Sequence, residues 1–162
     1  MKKYIFSMIA MLAVCAGFTA CGSDDDDPQY SHSQSPSVEM QGVYTGTFTR
    51  IQSNDPNAQP ESAEGTIAII HGESGYFATV KFFSEELKID AEKPVNISFA
   101  NDGASFCNYK DVSHIVGNID GAGQMAVSFA LTIRISARVS RPYNITFSGV
   151  KTSNEIPVGT EE

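Results

Sequence analysis

The chain is short of the residues that do most protein chemistry. Its 162 residues include three histidines, three cysteines and no tryptophan. There is no His-x-His or Cys-x-x-Cys, so the three or four gathered ligands that zinc needs are not signalled. Glu85, Glu86 and Asp90 are acidic, but the spaced Asp/Asn/Gly loop of a calcium site is absent. No Gly-x-Ser-x-Gly offers a nucleophile, and Cys107 sits beside Phe106 in "SFCNY" as an ordinary buried strand residue would. Positive charge is scarce: 11 Lys and Arg stand against 19 Asp and Glu. Nucleic-acid affinity comes largely from Lys and Arg neutralising phosphates, so nucleic acid is not an expected partner. From Gly42 onward no window of helical length holds a 3.6-residue period. The expectation is a non-enzymatic protein without cofactor or metal.

What is present begins with "MKKYIFSMIAMLAVCAGFTAC". Lys2 and Lys3 form a basic start, Tyr4 to Val14 an apolar run, and Ala16, Gly17, Thr19 and Ala20 a stretch of small residues before Cys21. That is the order of a secretory signal with a cleavage site. The run falls short of the about 20 apolar residues that span a bilayer. Phe18-Thr19-Ala20-Cys21 resembles a bacterial lipobox, with Phe18 in place of the usual Leu. The resemblance implies residues 1–20 as signal peptide and Cys21 as the acylated mature N-terminus, anchored in a membrane by its acyl chains. Cleavage there removes Cys15, Lys2 and Lys3, so the mature chain is more acidic than the formal −8 and Cys107 has no intramolecular thiol partner.

Residues 21–41 follow as a Ser-, Pro-, Gln- and Asp-rich tether with little to bury. Cys21, Ser23 and then Asp24, Asp25, Asp26 and Asp27 resemble the surface-export signal of Bacteroides-type lipoproteins. The implied address is the outer membrane, facing the cell surface. Aspartates beside an anionic head-group layer gain nothing from membrane attraction, which fits a routing label.

Residues 42–152 alternate with period two, leaving 153–162 as a tail. In "QMAVSFALTIRISARV" Met125, Val127, Phe129, Leu131, Ile133, Ile135, Ala137 and Val139 share one face, and Ser128, Thr132, Arg134, Ser136 and Arg138 the other. One buried and one wet face mark an antiparallel sheet. Shorter strands are read at 42–51, 65–71, 76–83, 86–91, 95–100, 104–109, 113–119 and 143–151. Turns are read at "HGESG", "EKP", "NDGA", "DGAG" and "SRP". Eight or nine strands joined by short turns predict an all-β, up-and-down meander closing into a barrel, with a β-sandwich as the alternative. Gly46 and Gly117 fit sharp bends at barrel corners, where a side chain would crowd, or else bulges or strand ends.

"GVYTGTFT" near the start, "GNIDGAGQMAVSFALTI" and the closing "YNITFSGVK" resemble the calycin-like β-barrel lipoproteins of Bacteroides-type bacteria over residues 42–151. Lipocalins proper carry Gly-x-Trp at the first strand, where Tyr44 stands here. The resemblance implies a lipocalin-like barrel and brings no reaction or functional residues with it.

Aromatic residues fill the strands, either as core or as the lining of a cavity. In the pairs Tyr76-Phe77 and Phe82-Phe83 alternation turns one ring of each to either side of the sheet. With Tyr44 these residues are the candidate ligand or contact surface, toward a small apolar molecule, a glycan or an envelope protein. The leading expectation is a lipid-anchored binding or interaction module. The rivals are a lipocalin-like carrier of an apolar ligand inside the barrel, and an enzyme accessory or inhibitor.

Overall fold

The computed structural model describes residues 32–108 and 114–156. The signal peptide, Cys21, Ser23 and Asp24 to Asp27 lie outside the described residues. One helical turn, α1 (Pro36–Glu39), precedes eight strands: β1 (Gly42–Gln52), β2 (Glu61–His71), β3 (Phe77–Ser84), β4 (Ile89–Ala100), β5 (Gly103–Asn108), β6 (Ile115–Ile119), β7 (Gln124–Ser136) and β8 (Val139–Ser153). Each pairs antiparallel with the next, and β8 returns to β1 from Gln52↔Tyr143 to Val43↔Ser153. The ring is closed, each strand being hydrogen-bonded to two neighbours over part of its length. This is the barrel, not the sandwich.

Two turns read from proline are not turns. "EKP" lies inside β4 and "SRP" inside β8. Pro94 faces Thr79 of β3, but the β4–β5 ladder reaches only to Asn96↔Cys107. Pro142 faces Thr132 of β7, and the β8–β1 ladder starts one residue later, at Tyr143. Among the described residues each proline lies beyond the end of one neighbouring ladder, so its missing N–H costs no ladder bond there. The strands read at 86–91 and 95–100 are thus one strand, preceded by a turn at Glu85–Lys88 in which Lys88 takes a positive φ. The long alternating run is cut at Ala137-Arg138, where β7 turns back into β8. "NDGA" and "DGAG" are turns as read. Asn101 adopts φ 52°, and the Asp120 carboxylate accepts from the N–H groups of Ala122 (3.0 Å) and Gln124 (2.8 Å).

The inner rows of all eight strands form one apolar cluster. Tyr44, Phe48, Phe82, Phe106, Phe129, Tyr143 and Phe147 are buried in it, packed among Ile67, Ile69, Ile97, Ile115 and Ile145. Ring centroids stand 4.7 Å apart for Phe48–Phe147 and 4.3 Å for Phe82–Phe129. The glycines make this filling possible. Gly46 pairs with Gly65 on one side and Gly149 on the other, a row of three across β2, β1 and β8. A β-carbon on Gly65 would stand 2.7 Å from the Phe48 ring, and one on Gly149 would press on Phe147. Gly117 of β6 is the seat of the Phe106 ring, which faces it across the β5–β6 pair.

Both mouths are stoppered. At one, α1 and Met40 lie over the interior, and the Tyr44 hydroxyl donates to the Met40 carbonyl at 2.8 Å. Ser37 is buried, its N–H donating to the Gly75 carbonyl (3.1 Å), and His32 stacks on Phe99 at 3.5 Å. The last residues of the segment read as tether therefore belong to the fold, because this turn covers apolar side chains the strands leave open. At the opposite mouth Leu87 is buried. Arg50, on the inner row of β1, donates to its carbonyl and to Glu61 Oε2 (2.9 Å from Nε, 2.6 Å from Nη2) and lies 4.7 Å over the Tyr143 ring. Each of its three guanidinium nitrogens has an acceptor and the charge has a carboxylate beside it, the condition for burying a cation.

Candidate contact surface

Strand β3 sorts the candidate residues. Its inner row is Ala78, Val80, Phe82 and Ser84, and its outer row is Phe77, Thr79, Lys81 and Phe83. Tyr44 and Phe82 point inward and are fully buried, so they are core and not surface. Tyr76 and Phe77 do not divide between the two faces as alternation implies. Tyr76 precedes the strand, in the turn closed by Gly72 N–H to the Phe77 carbonyl (3.0 Å), and both side chains face solvent, 64% and 53% exposed. Phe83 is equally open at 53%.

Register fixes what surrounds these rings. Phe77 stands opposite Asn96, Lys81 opposite Glu92 and Ala68, and Phe83 opposite Asp90 and Thr66. The two phenylalanines are six positions apart along the strand, about 20 Å. Between them Lys81 Nζ meets Glu92 Oε2 at 3.0 Å, both half exposed. An exposed pair of this kind contributes at most about 1 kcal/mol, so it shapes the surface more than it holds the fold. The outer face of β2–β4 thus offers two aromatic patches, Tyr76-Phe77 and Phe83, with hydrogen-bonding groups between. Such a face can stack on the C–H side of a sugar ring or cover apolar surface on a partner while meeting its polar groups.

Catalytic geometry is weighed most directly at Ser37 and His71, where Oγ and Nδ1 are 2.7 Å apart. Nucleophile and base have that spacing. Here, though, Ser37 is buried beneath its own turn, out of reach of any substrate atom. The pair is a latch holding α1 to the end of β2. Lys151 makes a second latch: its Nζ donates to the Glu39 carbonyl at 3.2 Å and lies 6.0 Å from the Tyr44 ring. Burial pulls the Lys151 pKa down, and the charge of Glu39 opposes that fall. Burial likewise holds the Tyr44 hydroxyl protonated above the ordinary tyrosine range. Sequence reading missed both latches, since Ser37 and His71 stand 34 residues apart in the chain and Glu39 and Lys151 112.

Cys107 is half-buried on the outer side, opposite in sense to Phe106, and not a core residue. No three His, Cys, Asp or Glu side chains among the described residues stand close enough to hold a metal. Nor does any buried side-chain nitrogen or oxygen among them lack a partner. An open depression of about 440 Å³ lies outside the barrel beside α1, lined by Ser33, Gln34, Val38, Glu39, Gln41 and Asn154. No family model matches the chain, and no curated protein is significantly similar to it.

Proposed function

We propose that this chain is a lipid-anchored, non-enzymatic protein of the cell envelope whose barrel is an interaction module working through its outer surface. The observation that carries the reading is the opposite treatment of aromatic side chains. Those inside are packed on one another and on glycines, while Tyr76, Phe77 and Phe83 are held out to solvent. A carrier of lipocalin type keeps its ligand in an open interior, and a pocket for a drug-sized molecule measures about 300–1,000 Å³. Both mouths here are covered by the protein's own residues. A glycan or a protein of the envelope is the partner class that suits the β2–β4 face.

The address rests on the sequence: Cys21 as the acylated residue, Asp24 to Asp27 as the routing label toward the outer face of the outer membrane. Labelled palmitate is expected on the wild-type chain and not on Cys21→Ala; label persisting on the variant ends the anchor assignment. Protease added to intact cells is expected to remove the domain. Native mass spectrometry of the purified protein separates module from carrier. One consistently bound small molecule would overturn the module in favour of the carrier.

A further inference from the structure

Strands β7 and β8 outrun the barrel. The β6–β7 ladder spans Ile119↔Met125 to Val116↔Ser128, and the β8–β1 ladder begins at Tyr143, while β7 and β8 stay paired from Thr132↔Pro142 to Ser136↔Val139. The section between is a two-stranded arm with no other described strand paired to it. Its inner side is tied to the core by Ile133, 4% exposed, and by Ile135, while the other side chains from Arg134 to Arg141 are exposed.

The charge of this arm is out of keeping with the chain. Residues 121–154 contain no Asp or Glu, in a protein of formal charge −8. Arg134, Arg138 and Arg141 all lie on the arm. Arg134 donates to the carbonyls of Ser136 (3.2 Å) and Ala137 (3.1 Å), and Arg141 donates to Gln52 Oε1 (3.1 Å). These partners are neutral. No carboxylate among the described residues pairs with any of the three, although Arg50 and Lys81 elsewhere each have one.

The cations surround the arm. Ser140 faces Arg134 and Ile133 faces Arg141, so the two guanidinium-bearing positions are one step apart along the arm. They lie on opposite sides of it, Arg134 in register with outward Thr132 and Arg141 with inward Tyr143. Arg138 is at the turn, and ahead of the flanking pair the tip offers Ala137 and Val139, the latter 42% exposed. Cations on both sides of a projecting arm and at its turn, around an exposed Val139, suit a broad anionic layer that the tip can enter. A linear polymer would call for cations along one face.

We infer that the β7–β8 arm is a docking element for the anionic headgroup surface of a phospholipid bilayer, with Arg134, Arg138 and Arg141 on the phosphates and Val139 at the acyl boundary. Each Arg at such a surface strengthens binding about fivefold, so three give on the order of a hundredfold over a neutral bilayer. The contact is independent of acylation. From Cys21 to His32 the chain is eleven residues long, a reach of roughly 40 Å. The tether enters at the α1 mouth and the arm leaves at the opposite one, so for anchor and arm to meet one membrane this reach has to run back along the barrel wall.

The test uses the full chain carrying Cys21→Ala, so that failure of the anchor and failure of the arm are read separately. It is sedimented with phosphatidylcholine vesicles with and without about a third phosphatidylglycerol, at about 0.05 M and about 0.5 M salt. The expected result is a preference for the anionic vesicles on the order of a hundredfold at low salt, most of it lost at high salt. Arg138→Gln with Arg141→Gln, which leaves the turn bonds of Arg134 in place, is expected to lose about twenty-fivefold. The salt dependence of the unsubstituted arm gives the same answer without any variant. Equal binding to both vesicles, or a double variant that binds like its parent, overturns the proposal. So does retention on a sulfated polysaccharide with no vesicle preference, which makes the partner a polymer. Arginine-dependent self-association without vesicles also overturns it, making the partner a second copy.

Discussion

Phe82 and Phe83 are neighbours in one strand and the same amino acid, yet one is 1% exposed and the other 53%. The Phe82 ring packs against Phe129 across the barrel, while Phe83 stands over Thr66 and Asp90 with nothing above it. Burying an aromatic side chain is worth about 1.5–3 kcal/mol, so the inner ring works for the fold and the outer one does not. An exposed aromatic confers no such return on the fold. The difference between the two faces of β3 separates what holds this molecule together from what it has to offer.

The largest test of that contrast is Phe82→Ala, expected to cost about 3–5 kcal/mol in urea unfolding with an unchanged denaturant slope. A cost below about 1 kcal/mol would mean a loosely filled interior and would bring the carrier reading back. Next is Gly117→Ala. A methyl there collides with the Phe106 ring, and a loss of about 1–3 kcal/mol is expected. Phe106→Leu in the same chain should return part of it, because the two positions share one space. Tyr44→Phe removes one buried hydrogen bond and is expected to cost about 1 kcal/mol at neutral pH. The folded pKa of Tyr44 is raised, so its stabilising contribution is complete below the unfolded value of about 10 and is lost as pH climbs toward the folded value. Melting temperatures of wild type and variant should accordingly converge above about pH 10; a constant gap contradicts the assigned burial. Smallest is Phe83→Ser, expected to shift stability by no more than about 0.5 kcal/mol. A loss above about 2 kcal/mol would show that the outer ring carries structure.

Strand content and sense were legible wherever alternation ran unbroken, as from Met125 to Ile135. Proline misled the reading at Pro94 and Pro142, since a sequence does not show where a neighbouring ladder stops. Alternation within Phe82-Phe83 was sound. At Tyr76-Phe77 it failed because the strand starts between the two. Tyr44 read as a surface candidate from its place in the opening motif, and closure of β8 onto β1 put it inside. The arm arginines left a readable trace, the acid-free stretch 121–154, but its meaning depends on β7 and β8 running on past their neighbouring ladders.

By itself the sequence determined the class of this fold. Period-two alternation with short polar turns leaves an antiparallel sheet as the arrangement that hides one face of every strand. It also determined the order at the N-terminus: basic residues, apolar run, Cys21 and four aspartates. Only the tertiary structure decided that the ring closes, that the interior is full and that α1 covers a mouth. Those outcomes depend on side chains far apart in the chain meeting in space: Phe48 with Phe147, Ser37 with His71, Glu39 with Lys151. Packing at contact distance is set by volumes summed over all eight strands, and no local pattern carries that sum.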